Sequence, residues 1–301
     1  MITDKEVLRQ LMNIISINFQ QDVKVGLMKG KMGMAILFYH YARYTGNKRH
    51  EYFPNEYMEL VEKFFGVSTT KNIIEGIAGV GWGIDYMIKK EFIDADGDEV
   101  LENLDQLMKI ADNDNFLEDV EAILPLFSKG IYFLQRSNLQ MVNESIIEVV
   151  NFIKNNPDVK LPLVYINSII YVALVASKQF QNTNFYDGLL DFLFSIITSN
   201  AIIKIGSEEY FFLKKNISLM SEHQASKWSK LTPEHLQIIE TYDYYWIDFL
   251  FQKGARIPID AEKIHTWLHQ SFLEQFNFEK IAMHKGLAGI CFALMNRDSQ
   301  I

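Results

Sequence analysis

The sequence contains a single cysteine, Cys291, among its 301 residues. One thiol cannot form a disulfide within the chain, and it cannot build a cysteine-rich zinc site. Prolines number only 6, and runs of alternating polar and apolar residues are scarce, which favours helices over strands. These absences exclude a disulfide-stapled fold and predict an all-α protein.

Positive charge is in deficit, with 29 Lys and Arg against 38 Asp and Glu and a formal net charge of −9. Without a basic stripe, such a chain is not expected to bind nucleic acid or an anionic membrane. Long apolar runs are missing too. The nearest, residues 161–177, is short and holds Asn167 and Ser168, so we expect a core helix rather than a membrane span. The N-terminus lacks a signal-peptide pattern, and we expect a cytoplasmic protein.

What the chain does have is a glycine motif that occurs three times. The copies are Lys29-Gly30-Lys31-Met32-Gly33-Met34, Glu75-Gly76-Ile77-Ala78-Gly79-Val80 and Lys285-Gly286-Leu287-Ala288-Gly289-Ile290. In each copy two glycines three apart follow a charged residue and precede a hydrophobic run. The first two copies lie 46 residues apart, from Gly30 to Gly76, a period typical of repeats built from helical hairpins.

The two glycines of a motif share one face of the first helical turn, and this admits two interpretations. Without a Cβ, that face lets a neighbouring backbone approach closely, at a cost of up to about 1 kcal/mol per glycine relative to alanine. Alternatively, the N–H groups of the same turn, which carry partial positive charge, point out of the helix end. Several such ends aimed at one centre would line a cavity for a polar or anionic group.

Amphipathic and apolar segments alternate along the chain. Residues of about 4–19 and 55–65 have one apolar helical face, and each segment precedes a glycine motif that begins a nearly all-apolar helix. Weaker copies of the motif, expected at helix starts, are Lys129-Gly130 and Asn167-Ser168, and the pattern is lost between about 205 and 255. No proline-rich or serine-rich linker divides the chain. We therefore predict one domain, residues 1–301, of about six hairpins, with half-buried helices outside and buried helices inside.

The motifs resemble those of the lanthionine synthetase C-like proteins. The resemblance is carried by residues 26–33 and 38–45, which are similar to bacterial members of the family, and by residues 75–83 and 283–294. It implies an (α/α) toroid, a double ring of helices around a central cavity. It also implies peptide modification, because enzymes of the family add cysteine thiols to dehydrated serine or threonine in a precursor peptide. They do so on a zinc ion that lowers the pKa of the thiol.

The chain differs from that family in the residues that would bind the metal. The family's zinc is held by two cysteines, one of them in a Cys-His pair, and by a further histidine, but neither cysteine motif is present here. Cys291 lies within the helix after the last glycines, where the family has core residues. Lys29, Glu75 and Lys285 stand where a histidine often precedes the first glycine. The zinc site of the family cannot be assembled without its thiolates, and we predict no cofactor.

The expected function is that of a pseudoenzyme, a family scaffold that lacks the zinc-dependent cyclase activity and binds a peptide or small molecule. Its cavity rim is predicted at the motif positions Lys29, Gly30, Gly33, Glu75, Gly76, Gly79, His284, Lys285, Gly286 and Gly289. Lysines at the positive ends of helices suit a carboxylate, a phosphate or an acidic leader peptide, although Glu75 tempers this. His284 either faces the cavity or caps the helix start. Nothing in the sequence indicates an oligomeric state.

Two kinds of catalysis stay open as alternatives. An active cyclase or thiol transferase would have to activate its thiol without zinc, beside Lys29 or Lys285 as a positive neighbour. A glycoside hydrolase of the six-hairpin type would need two cavity carboxylates. Glu75 and Asp85 lie too far apart along one helix to serve alone, and they would need a third carboxylate such as Asp248.

The pattern His265-x-x-x-His269, with Glu262 one turn earlier, is the candidate for a metal. Two histidines four residues apart on a helix bind zinc when a third ligand converges on them. The alternative is an outer-layer helix with exposed polar residues, because apolar side chains already supply its packing face. We predict no bound metal; if one were found, His265 and His269 would be the first candidates to hold it, together with His284.

Overall fold

A computed structural model describes residues 3–18, 24–65, 70–110, 123–159, 161, 163–180, 183–199, 207–231, 261–272, 283 and 286–298. Within these ranges every regular element is a helix, so the predicted all-α class is confirmed. The α-helices are α1 (Asp4–Asn18), α2 (Lys31–Thr45), α3 (Tyr52–Phe65), α4 (Ile77–Lys89), α5 (Gly97–Lys109), α6 (Ile123–Gln135), α7 (Leu139–Asn155), α8 (Leu163–Phe180), α9 (Thr183–Ser199), α10 (Ser207–Leu219), α11 (Glu222–Trp228), α12 (Ala261–Trp267) and α13 (Leu287–Asp298). Short 3₁₀ turns cover Lys48–Glu51 and Ser229–Leu231, and a π-helical turn covers Leu268–Phe272.

The chain divides into two compact units. Unit 1 combines residues 1–102 with residues 242–301, and unit 2 is formed by residues 103–241. Unit 1 is thus discontinuous in sequence, because its two parts come from opposite ends of the chain. The predicted closure of all hairpins into a single ring stays a prediction.

Unit 1 is built around α2, which packs against α3, α4 and α13, while α1 packs against α12 and α13. Eleven of the 15 residues of α2 and ten of the 13 residues of α4 are buried, whereas α1 buries only one face. On α3, Tyr57 and Val61 are buried and Glu59 is exposed. The predicted alternation of half-buried and buried helices is therefore confirmed for α1–α4. Each large apolar side chain that α2 buries contributes about 1.5–3 kcal/mol.

The helix α2 ends at Gly46, whose φ of 65° lies in the left-handed region. Its backbone N–H donates to the carbonyl of Arg43 at 3.3 Å. A residue with a Cβ would be strained in this conformation, so a glycine ends the helix at little cost.

Unit 2 is built around α8, which packs against α6, α7, α9 and α10. The prediction that the two weaker motif copies lie at helix starts is wrong. Gly130 lies well inside α6, where a Cβ would come 2.9 Å from Ser145 Oγ on α7. Asn167 and Ser168 lie inside α8, both buried, and Asn216 Nδ2 on α10 donates to the carbonyl of Asn167 at 2.8 Å. These small and polar residues serve helix–helix contacts in the core rather than helix initiation.

The apolar stretch that was expected to be a core helix is α8, and most of its described side chains are buried. Across the residues that the structure describes, no helix combines the length and the apolarity needed to cross a membrane.

Candidate functional site

All three glycine motifs begin helices. Gly30 and Gly76 occupy the N-cap positions of α2 and α4, both with extended backbone and without a side-chain cap. The helix α13 begins directly after Gly286. The spacing of the motif therefore located the helix starts correctly.

The first turns of α2 and α4 are held by the same backbone hydrogen bond. In α2 the N–H of Lys31 donates to the carbonyl of Lys24 at 3.1 Å, and in α4 the N–H of Ile77 donates to the carbonyl of Thr70 at 3.0 Å. Donors and acceptors are each 46 residues apart, so the repeat is one of local structure as well as sequence. The next N–H of α2 also donates to the preceding loop. The interpretation in which such N–H groups point out to a ligand does not apply to the N–H groups of Lys31, Met32 and Ile77, because the loop before each helix accepts their hydrogen bonds.

The glycines of the first two motifs are required by close packing. A Cβ on Gly33 would overlap the carbonyl oxygen of Leu27, and a Cβ on Gly79 would overlap the equivalent carbonyl oxygen of Ile73. Both obstacles are backbone atoms, which cannot rotate away as a flexible side chain can. Of the two interpretations of the motif, the packing one explains these glycines.

The loops before α2 and α4 pair with each other through their backbones. The N–H of Gly26 donates to the carbonyl of Glu75 at 3.1 Å, and the N–H of Met28 donates to the carbonyl of Ile74 at 3.0 Å. This pairing sets the charged residues that precede each helix beside one another.

Lys24, Lys29 and Glu75 form a cluster that we call the charged triad. Lys24 Nζ lies 2.8 Å from Glu75 Oε1, and Lys29 Nζ lies 3.7 Å from the same oxygen. All three side chains are about one-third exposed, at 37%, 34% and 37% in that order. The structure thus brings together the predicted rim residues Lys29 and Glu75, and it adds Lys24, which sequence reasoning missed. Two ammonium groups against one carboxylate leave the triad with a formal charge of +1.

The third motif also belongs to unit 1, with Gly286 and Gly289 buried at the start of α13. The side chain of Met283, three residues before it, lies against α2, since a Cβ on Gly33 would come 2.7 Å from its Cγ. The remaining predicted rim residues, His284 and Lys285, lie outside the described residues.

A second polar feature of unit 1 is a contact between His40 on α2 and Tyr86 on α4, whose positions are again 46 residues apart. His40 Nε2 lies 2.8 Å from the hydroxyl of Tyr86. The rings of Phe92 and Phe292 pack against the imidazole in T-shaped arrangements, with centroid distances of 4.8 and 5.0 Å. Burial lowers the pKa of His40 to about 4, so the imidazole is neutral at pH 7. The sequence analysis did not single out this pair, although the 46 residues between its members match the spacing of the first two glycine motifs.

His265 and His269 are neighbours, as their spacing implies. Their ring centroids are 4.4 Å apart, with an interplanar angle of 68°. His265 Nδ1 lies 3.2 Å from Gln10 Oε1 on α1. Among the described residues no group of three or more His, Cys, Asp or Glu side chains converges, so Glu262 does not join the two histidines as a third metal ligand.

Two of the carboxylates considered for catalysis, Glu75 and Asp85, form ion pairs, and the sole thiol of the chain is buried. Asp85 is buried, and its Oδ2 lies 2.7 Å from Lys89 Nζ, one turn along α4. Glu75 belongs to the charged triad, and Asp248 lies outside the described residues. Cys291 is fully buried in α13, and burial raises the pKa of its thiol well above the usual range.

Comparison with protein-family models, with curated proteins and with solved structures finds no match for this chain.

Proposed function

We propose that the chain is a lanthionine synthetase C-like scaffold that lacks zinc-dependent cyclase activity and binds a peptide or small anionic metabolite at the starts of α2 and α4. The observation that carries the proposal is the repeated unit of unit 1. Two glycine motifs 46 residues apart begin two buried helices with equivalent backbone hydrogen bonds. A repeat of helical hairpins with this motif is what the family resemblance requires.

Loss of the cyclase chemistry is supported by the cysteine count. The family's zinc needs two cysteine thiolates, and the chain has one cysteine. Its thiol is buried within α13 and has a raised pKa, which opposes the thiolate form that binds zinc. The chain cannot assemble the ordinary zinc site of the family, so we propose that it binds a ligand without the zinc-dependent reaction.

The charged triad is the proposed point of recognition. Glu75 pairs closely with Lys24 at 2.8 Å, whereas its 3.7 Å separation from Lys29 is longer than a hydrogen bond. Lys29 can therefore turn toward an incoming carboxylate or phosphate without breaking the tighter pair. Because the helix N–H groups nearby donate to the chain itself, recognition depends on these side chains and not on the helix ends.

A direct test combines a binding titration with a thiol assay. The purified full chain is titrated with a dehydrated, cysteine-containing peptide that carries an acidic leader, and free thiol is followed over time. We expect saturable binding without thiol loss. Lys29→Ala should weaken binding about tenfold, since a hydrogen bond to a charged group contributes about 1.5–3 kcal/mol.

The matched control is Lys48→Ala, which removes an exposed lysine from the 3₁₀ turn in the same unit. It should bind as the unchanged protein does. Thiol loss catalysed by the unchanged protein and abolished by Lys29→Ala would show an active cyclase or thiol transferase and refute the pseudoenzyme. Absence of both binding and turnover would refute the proposed function altogether.

A further inference from the structure

Two imidazoles of unit 1 are already close to a chelating arrangement. The ring centroids of His265 and His269 lie 4.4 Å apart, and the rings are steeply inclined to each other at 68°. Imidazole nitrogens bind zinc at about 2.0–2.1 Å, which places the centroids of two rings on one ion roughly 4.5–5 Å apart. Little movement of either ring is needed to reach that separation.

The ring of His265 is oriented by a residue from another helix. Its Nδ1 lies 3.2 Å from Gln10 Oε1 on α1, and because an amide oxygen only accepts, this contact is a hydrogen bond in the tautomer that carries its proton on Nδ1. In that tautomer the lone pair is on Nε2, the atom that would bind a metal. Histidine ligands characteristically use their second nitrogen in such an outer contact, which fixes tautomer and orientation.

The backbone at this position is unusual as well. His269 lies in the π-helical turn Leu268–Phe272, directly after the α-helical turn that carries His265. Single π-turns within helices are frequent at functional sites. His265 is partly exposed and His269 is exposed, so an ion can reach both rings from solvent.

We propose that His265 and His269 form a two-histidine site for an exchangeable divalent transition-metal ion of the class of Zn²⁺, Ni²⁺ and Cu²⁺, with Gln10 as the positioning residue. Imidazole suits these ions, and Cu²⁺ binds most tightly among them. Since no third His, Cys, Asp or Glu converges among the described residues, water completes the coordination. The site shares no residue with the charged triad and does not depend on the proposed function.

The test uses the untagged full chain in a buffer that does not bind metals. Calorimetric titration with Zn²⁺ alone should give a binding event that His269→Asn weakens at least tenfold, because the variant holds the ion through one imidazole instead of two. Gln10→Leu should weaken it about tenfold by releasing the ring of His265. His223→Asn, which removes an exposed histidine of α11, is the matched control and should leave the affinity unchanged.

A spectroscopic measurement distinguishes chelation from other causes. The electron paramagnetic resonance spectrum of the protein with one equivalent of Cu²⁺ should show coupling to two imidazole nitrogens, reduced to one in His269→Asn. Equal Zn²⁺ affinity in His269→Asn and the unchanged protein would overturn the site, as would a Cu²⁺ spectrum with a single nitrogen. An unchanged affinity in Gln10→Leu would overturn the positioning role of that glutamine.

Discussion

At the scale of single residues, His40 is the histidine whose surroundings oppose its charged form most clearly. Burial is the main cause, and the positive charges of Arg43 and Lys90 add to it, so that the pKa falls from its ordinary 6.5 to about 4. The neutral ring forms a hydrogen bond with the hydroxyl of Tyr86, whose own pKa is raised by burial. Protonation of His40 would place an uncompensated charge beside aromatic rings.

The lowered pKa makes the stability of unit 1 depend on pH. The unfolded chain binds this proton more tightly than the folded chain, so stability is complete above about pH 6.5 and falls as pH drops toward about 4. Between pH 6.5 and 5 the loss should be about 2 kcal/mol. His40→Gln keeps a polar group that can bond with Tyr86 but does not titrate. Urea denaturation at both pH values should therefore show a smaller loss for the variant, and equal losses would contradict the assignment.

At the scale of secondary-structure elements, the first turns of α2 and α4 are fitted to the loops that precede them. The glycine three residues into each motif faces a loop carbonyl oxygen, Leu27 for Gly33 and Ile73 for Gly79. The absence of a Cβ at these points lets the loop fold back and satisfy the helix N–H groups. The missing Cβ thus lets each helix start pack closely against the loop that precedes it.

A pair of glycine substitutions tests this fit. Gly79→Ala should lower the free energy of unfolding by about 1–3 kcal/mol or more, because the new methyl group meets backbone. Gly188→Ala is the control, since Gly188 lies inside α9 with open space around its Cβ position. It should instead raise stability by about 0.5–1 kcal/mol through helix propensity. Chemical denaturation of both variants measures the difference, and a neutral Gly79→Ala would disprove the close approach.

At the scale of the whole molecule, unit 1 depends on elements from opposite ends of the chain. The helix α13 packs against both α1 and α2, and it carries the sole cysteine at a fully buried position. Reagent can reach that thiol only when α13 separates from its neighbours. Cys291 is therefore a natural reporter for the opening of unit 1.

Thiol labelling of the native protein should accordingly be slow. We expect Cys291 to resist an aromatic disulfide reagent at pH 8, because its thiol is buried and its pKa is raised. In urea the labelling rate should rise in step with the loss of helicity, and the fully unfolded chain should react with one equivalent. Rapid stoichiometric labelling without denaturant would contradict the burial of α13.

Membership of the lanthionine synthetase C-like family stays a proposal, and so does the function that it implies. What the sequence determined by itself is local. Glycine spacing and apolar periodicity located the starts of α2, α4 and α13, because helix initiation and burial of one face depend on residues a few positions apart. The same reasoning failed at Gly130 and at Asn167-Ser168, where a small or polar residue serves a contact with a neighbouring helix and has no signal within its own segment.

The tertiary structure decided which distant groups meet. It paired Glu75 with Lys24 as well as Lys29, and it placed Gln10 against His265 across most of the chain length. It also decided that loop carbonyls, and not a ligand, satisfy N–H groups in the first turns of α2 and α4. Periodicity fixes which face of a helix is buried but not which partner covers it, because that choice depends on how separate helices pack together.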